Sequence, residues 1–446
     1  MIEQKEVIHQ ELFMGTKIGK KSEKPIFKQI IDIIPHNLFR KCVCKYQSDK
    51  YCSKYFTYDQ LVSGIFGQLN RCLSLREIAI GIDQSPEFLA DIGLKQSPAK
   101  SSMSAGNEKR NYKVFEELYY SLVRYYNSSL HNRPERVVIK EVEKYAIKIV
   151  DATIMTVSLG LFSWAKYRTA KGGIKAHVSL DEATMVPDIV NISEAKKSDR
   201  RGVDNFHYPK DTIVVDDRGY FDCKLFKTRI EDGNWFVTRL KDNILYDIVE
   251  ELDLPNDKDH HILKDEIIYL IGKSAEENNL NTTKLRRVVV YIPEEKNTED
   301  RVIVLITNNL EWEAATIAAL YKIRWSIETF FKLIKQNLQI LVLCTKYEVK
   351  TFIGTSENAC KSQIFIALIC YLLLELIRRT LCKTNHRFGH FVTLIRVCLT
   401  QYNRLGYIVN TTQITVRQAR KHAKAPPDLF SQCGREKDFQ QLLFDF

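Results

Sequence analysis

The chain has 446 residues, 45% of them apolar and 27% charged, which excludes a disordered chain and exceeds what one compact core usually holds, so roughly two to four domains are expected. The net charge of +11 and pI of about 8.9 suit a polyanionic partner such as nucleic acid, although charge alone also fits proteins without one. The eleven cysteines are scattered and form no Cys-x-x-Cys pair. That excludes a disulfide framework, and reduced thiols are expected. Cys42, Cys44 and Cys52 come nearest to a zinc set but have no histidine pair beside them.

Residues 1–25 are polar and lysine-rich and read as a loose tail, with no apolar signal stretch. The longest apolar run, Ile364–Leu374, falls short of the roughly 20 residues a spanning helix needs. A buried core helix and a cytoplasmic protein with no membrane contact are expected. Residues 26–140 carry apolar side chains at helical spacing, as in Leu61-Val62-Ile65-Phe66-Leu69 and Phe115-Leu118-Tyr119-Leu122. Between them, Ser97–Asn107 contains Pro98 and Gly106, and Ser101 or Ser102 can cap a helix bearing Lys109, Arg110 and Lys113. This part is either a DNA-binding helical domain or a bundle with a solvated basic face.

At Tyr145 the pattern changes. Ala146–Val150 reads as a strand ending on Asp151, Lys175–Leu180 and Val186–Ile192 as the next two, and Thr212–Val215 as a short apolar strand ending in Asp216-Asp217. Trp235–Leu240, Glu266–Ile271, Arg287–Ile292 and Val302–Thr307 also read as strands. One long helix is expected over Glu313–Ile340, with further helices at Asn358–Arg379 and Phe388–Tyr402. The basic cluster Arg417, Arg420, Lys421 and Lys424 lies in a tail spanning 406–446, and either binds DNA or is solvated.

Three acids stand out by position. Asp151 and Asp217 end apolar strands, where α/β sheets hold site residues rigidly side by side. Glu328 lies on the long helix. At about 100° per residue, Tyr321, Arg324, Glu328 and Lys335 fall within an arc of about 60°, beside an apolar stripe that includes Leu320, Ile327, Phe331 and Ile334. Two cations and a phenol around one acid suit a phosphate backbone near metal-bound carboxylates; an ordinary solvated face with an Arg324–Glu328 ion pair is the plainer alternative. From Leu161 to Leu180 there is no acid, while Lys166, Arg168, Lys171, Lys175 and His177 alternate with Trp164 and Tyr167. Cations beside aromatics fit phosphate contact and base stacking, or a lysine-protected sheet edge. Arg218, next to Asp217, is a further phosphate candidate or a structural ion pair. His177 and the His260-His261 pair show no ligand spacing.

Tyr321-x2-Arg324-x3-Glu328-x6-Lys335 resembles the YREK signature of the insertion-sequence-4 type of DDE transposases. Asp151-Ala-Thr with Lys171-Gly-Gly-Ile-Lys175-Ala-His177 is similar to the first-Asp region of that family, Val214-Val-Asp-Asp217-Arg-Gly-Tyr220 to the second, and Phe236-Val-Thr-Arg-Leu-Lys241 to the strand that follows. Leu73-Ser-Leu-Arg-Glu-Ile78 and Ser101–Arg110 resemble the helical domain that often precedes this core.

The resemblance implies an α/β fold. An RNase H-like catalytic core (145–240 and 301–405) would contain a β-rich insertion (241–300), after a helical N-terminal DNA-binding domain (26–140) and with a helical C-terminal region. It implies a metal-binding catalytic triad of Asp151, Asp217 and Glu328, with Mg²⁺ as cofactor and Mn²⁺ as substitute. Tyr321, Arg324 and Lys335 would hold DNA, with Arg218, Lys171 and Lys175 as further contacts. Asp216 is the rival second ligand; alternation turns it away from Asp217. The implied reaction is cleavage at transposon ends and transfer of the 3′-hydroxyl into double-stranded target DNA by a homodimeric synaptic complex, in a bacterial cytoplasm in association with the nucleoid. A two-metal nuclease that never joins ends, and a catalytically dead DNA-binding protein, are the alternatives. Two departures stand out. Residues 241–300 hold no Trp to stack on a flipped base, leaving Tyr269 or Tyr291 for that role, and the Ser-Met-Ser-Ala-Gly-Asn stretch carries a Gly where a larger residue is expected.

Overall fold

The computed structural model describes residues 21–133, 136, 138–157, 166–168, 171–254, 261–292, 301–338, 354–382 and 387–410. Trp164, His260, most of the N-terminal tail and the Arg417–Lys424 cluster lie outside the described residues.

The first part of the chain is helical: α1 (Ile26–Ile31), α2 (His36–Tyr46), α3 (Thr57–Asn70), α4 (Leu75–Ile82), α5 (Pro86–Asp91), α6 (Lys100–Lys109), α7 (Lys113–Tyr125) and α8 (Asn127–Leu130). Local chemistry sets several starts. Ser74 Oγ accepts from the Glu77 amide, and Ser85 caps a helix that opens on Pro86. Arg71, in the left-handed region at φ 55°, ends α3.

Ten strands then form one mixed sheet among the described residues: β1 (Ala146–Val157), β2 (Lys166–Arg168), β3 (Lys171–Asp181), β4 (Val186–Glu194), β5 (Thr212–Asp216), β6 (Trp235–Arg239), β7 (Tyr246–Glu251), β8 (Ile262–Leu270), β9 (Leu285–Ile292) and β10 (Arg301–Thr307). The order is β2-β3-β1-β5-β6-β10-β9-β8-β7, with β4 also paired to β3. β1, β3 and β4 are antiparallel neighbours, whereas β5 and β6 run parallel to β1. The remaining helices are α9 (Asp199–Gly202), α10 (Cys223–Glu231), α11 (Lys273–Glu277), α12 (Ala314–Ile323), α13 (Trp325–Asn337), α14 (Glu357–Leu381) and α15 (Phe388–Cys398).

α12 lies on one sheet face, where Ile317 and Leu320 join Ile147, Ile213, Val215, Val237 and Leu305 in a shared core. α10 and α11 cover the other face around Phe226, Phe236 and Ile268. α14 is long and apolar enough to cross a membrane by composition, yet it is buried in the protein core. Its Phe365, Leu372 and Ile377 share one cluster with Phe27, Phe66 and Phe115 of the N-terminal helices, with Phe330 of α13 and with Val178 of β3. Each fully buried large apolar side chain contributes about 1.5–3 kcal/mol, so this cluster binds the N-terminal helices firmly to the sheet and to α13.

Candidate active site

Sheet register places the first two acids. Ile149 is level with Val215, and Val215 with Val237. Two residues further along each strand, the next side chains on that face belong to Asp151, Asp217 and Arg239. Because Ile147, Ile213, Val215 and Val237 pack with α12, this row lies on the face that carries α12 and α13. Neighbouring strands run about 4.8 Å apart, so the two acids are backbone neighbours.

β5 stops at Asp216, and Asp217 opens a short 3-10 turn, Arg218–Tyr220. β1 does not end at Asp151, as its apolar run suggests; it continues to Val157 because β3 keeps pairing with it as far as Gly172. Only the parallel partner is lost there, after Val150 pairs with Asp216. That local loss of a neighbour opens the space in front of Asp151.

The expected single helix over Glu313–Ile340 is two helices, α12 and α13, joined at Arg324. The Arg324 amide donates to Tyr321 O (3.1 Å) and the Ile327 amide to Arg324 O (3.2 Å), the i to i−3 pattern of a tightened turn. Three of the four signature side chains, Tyr321, Arg324 and Lys335, reach the sheet side directly, and Glu328 meets Arg324. The Tyr321 hydroxyl is 3.1 Å from Asp217 Oδ1. Arg324 reaches Asp151 Oδ2 with Nη1 at 3.7 Å and Glu328 Oε1 with Nη2 at 2.8 Å. The Lys335 ammonium is 3.5 Å from Ile154 O, just beyond Asp151 on β1. Arg324 thus bridges Asp151 and Glu328, while Tyr321 joins Asp217 to α12.

Burial and neighbouring charges of both signs act on the acids there. Burial pushes Asp151 up to about 6, and the charges of Asp217 and Glu328 add to that, against the Ala152 amide and Arg324. Burial, then the Asp217 charge, raises the Tyr321 phenol to about 12, so it stays a donor. Burial lowers Lys335. Asp216 faces the opposite way, fully buried, with Oδ2 2.6 Å from Arg229 Nη2; the contact is a charge pair without hydrogen-bond alignment.

The other candidates divide. Arg218 is half exposed at the site's edge and pairs with Asp242 at 3.2 Å. Lys171 opens β3, level with Arg168. Lys175 is not brought to the acids. It lies on the opposite face, buried, with its ammonium 2.9 Å from both Asp199 Oδ1 and Lys197 O, so its charge is committed internally. His177 is buried on that same face and held neutral. Arg110 is also internal, donating to Ser48 O, Gln60 and Tyr55 O. Tyr269 and Tyr291 are part-buried on β8 and β9.

Two further residues stand at the site that their sequence context does not announce: Arg239, half-buried beside Asp217 and within the field of Tyr321, and Trp325, 60% exposed next to Arg324. A cation at a strand end and a Trp inside the signature were the available signals.

Among the described residues, no three Asp, Glu, His or Cys side chains are grouped tightly enough to hold an ion as they stand. The donor chemistry nevertheless fits a hard divalent cation: three carboxylates and no soft ligand. A guanidinium already stands between two of them as a positive charge.

The transposase DDE domain family matches residues 143–373, more than half of the chain, and a domain of unknown function (DUF4372) matches 22–95. The chain belongs to the transposase DDE domain family. It is 30% identical over 252 residues to a probable transposase for insertion sequence element IS5377 of Geobacillus stearothermophilus, covering 56% of this chain and 61% of that protein. It is 28% identical over 315 residues to a putative transposase of Sinorhizobium fredii, covering 70% and 80%, and 26% identical over 286 residues to a putative insertion-sequence transposase of Synechocystis, covering 62% and 71%.

Proposed function

We propose that this chain is a DNA transposase that cuts at the ends of its own element and joins the freed 3′-hydroxyl to target DNA. Its catalytic acids would be Asp151, Asp217 and Glu328 on an RNase H-like core. The order β4-β3-β1-β5-β6, with β5 and β6 parallel to β1, supports that reading of the core, and β7–β9 would then be its insertion. The observation that carries the proposal is the convergence at Arg324 and Tyr321. Asp151 within β1 and Glu328 on α13 meet at Arg324, and Asp217, just past β5, meets Tyr321, over a sequence span from 151 to 328.

The three carboxylates would hold Mg²⁺, with Mn²⁺ as a substitute, which when bound supplies nucleophile activation and stabilisation of the leaving oxygen. The chain's own residues do the rest. Arg324 can turn its fork from Glu328 to a phosphate bidentately, Lys335 offers a point charge beside β1, and Tyr321 orients Asp217. Arg218, exposed beside Asp217, and Lys171 would be further phosphate contacts; Lys175 serves the fold. The N-terminal helices would grip double-stranded DNA near the transposon ends, and two copies would act in one synaptic complex in the bacterial cytoplasm.

The test is a strand-transfer assay with pre-cut end duplexes and a target plasmid in Mg²⁺. Joined product supports a transposase, and cutting without joining means a nuclease.

A further inference from the structure

Two arginines distant in sequence meet at the end of α13, the helix that carries Glu328 and Lys335. A helix leaves its last four carbonyls without intrahelical partners, and that end carries partial negative charge. In α13 these carbonyls are met from outside. Arg71, the residue that ends α3, donates through Nη2 to Gln336 O. Arg396 of α15 donates through Nη2 to Asn337 O at 3.2 Å and through Nε to Leu69 O at 2.6 Å. Arg396 therefore bridges the C-terminal ends of α3 and α13, and Arg71 crosses from one to the other. The arrangement carries a cost. Burial, and then the charge of Arg71, lower the Arg396 guanidinium to about 10. Two like charges are held side by side because each finds carbonyl acceptors there.

The consequence follows from helix geometry. Gln336 is eight residues from Glu328 and next to Lys335, at 1.5 Å per residue about 12 Å along a rigid rod. Fixing its end fixes how far Glu328 stands from Asp151 and Asp217. α3 belongs to the N-terminal helical part, which shares its core with α14, so movement of the N-terminal helices is passed to Glu328.

We infer that Arg71 and Arg396 are positioning residues, a clamp through which the N-terminal helices set the placement of the helix bearing Glu328. The inference deepens the transposase reading and rests on it for its effect on cleavage. The clamp itself can be tested without cleavage.

Hydrogen exchange across residues 325–338 is compared in full-length wild type, R71A and R71K, without DNA. The expected result is exchange about tenfold faster in R71A, the effect of one charge-assisted hydrogen bond, and mostly restored in R71K. Unchanged exchange in R71A overturns the clamp, whatever the enzyme does. Single-turnover cleavage is then measured as a function of DNA concentration. The expected R71A defect is a lower maximal rate at unchanged half-saturation and unchanged thermal midpoint, recovered in part by R71K. A defect confined to half-saturation overturns the inference, because Arg71 would then be touching DNA. A lower midpoint with no recovery in R71K also overturns it, because the role would be merely structural. If wild type and E328Q are alike in cleavage, the transposase reading fails while the exchange result stands by itself.

Discussion

The Tyr321 hydroxyl lies 3.1 Å from Asp217 Oδ1, joining the α12 end of the signature to the end of β5. A hydrogen bond to a charged group is worth about 1.5–3 kcal/mol. Y321F keeps the ring and its packing but frees Asp217 to rotate. The expected outcome is a fall of about tenfold in single-turnover cleavage with a melting temperature lowered by at most a few degrees. An unchanged rate would remove Tyr321 from the site.

Asp216 and Asp217 separate in the same way under substitution. Asp216 is fully buried against Arg229, and removing one partner of such a pair costs about 3–5 kcal/mol. Asp217 is partly exposed. D216N is expected to lower the thermal midpoint sharply, whereas D217N leaves it within a few degrees and abolishes cleavage. Calorimetry with a cleavage assay checks both, and the reverse pattern would make Asp216 the ligand.

His177 gives the fold a pH dependence. Burial holds its imidazole at about 4, below an ordinary 6.5, with Lys175 and Lys197 adding and Asp199 opposing. The unfolded chain therefore takes up the proton first. Stability is full above about pH 6.5 and is lost as pH falls through the window down to about 4, by about 3 kcal/mol. Asp151, raised to about 6, contributes the opposite slope to both chains, so the readout is the difference: across that window the denaturant midpoint of wild type should fall relative to that of H177Q as pH is lowered.

Gly202 packs against the same ring. A Cβ added there would stand 2.1 Å from His177 Cε1 and 2.2 Å from Nδ1, and the fully buried imidazole has no room to retreat. G202A should cost about 1–3 kcal/mol or more by overpacking, read as a lower unfolding midpoint. H177A in the same chain should relieve part of that cost.

Much of the sheet was legible because apolar runs ending in acids carry their own signal. The strand from Ala146, the strand from Thr212 and the alternation that turns Asp216 away all follow from side-chain periodicity. What periodicity could not supply was the identity of distant partners. A helical wheel over Tyr321–Lys335 sets Tyr321, Arg324, Glu328 and Lys335 on one stripe but treats α12 and α13 as one rod, since the break at Arg324 involves neither Pro nor Gly. Lys175 looked like a DNA contact because no acid lies near it in the chain; its partner, Asp199, is 24 residues away. The apolar spacing of α3 and α7 announced helices, but nothing in it said that α14 would share their core. Arg71 and Arg396 look like ordinary surface cations until the fold sets both at the end of α13.

The central claim is that Asp151, Asp217 and Glu328 act as one site, and E328Q tests it most directly. Duplexes carrying the ends of the element that encodes the chain are incubated with Mg²⁺ and either wild type or E328Q, at protein concentrations shown by gel shift to bind DNA equally. The account predicts end cleavage by wild type and only background cleavage by E328Q. Cleavage by E328Q at the wild-type rate would contradict it.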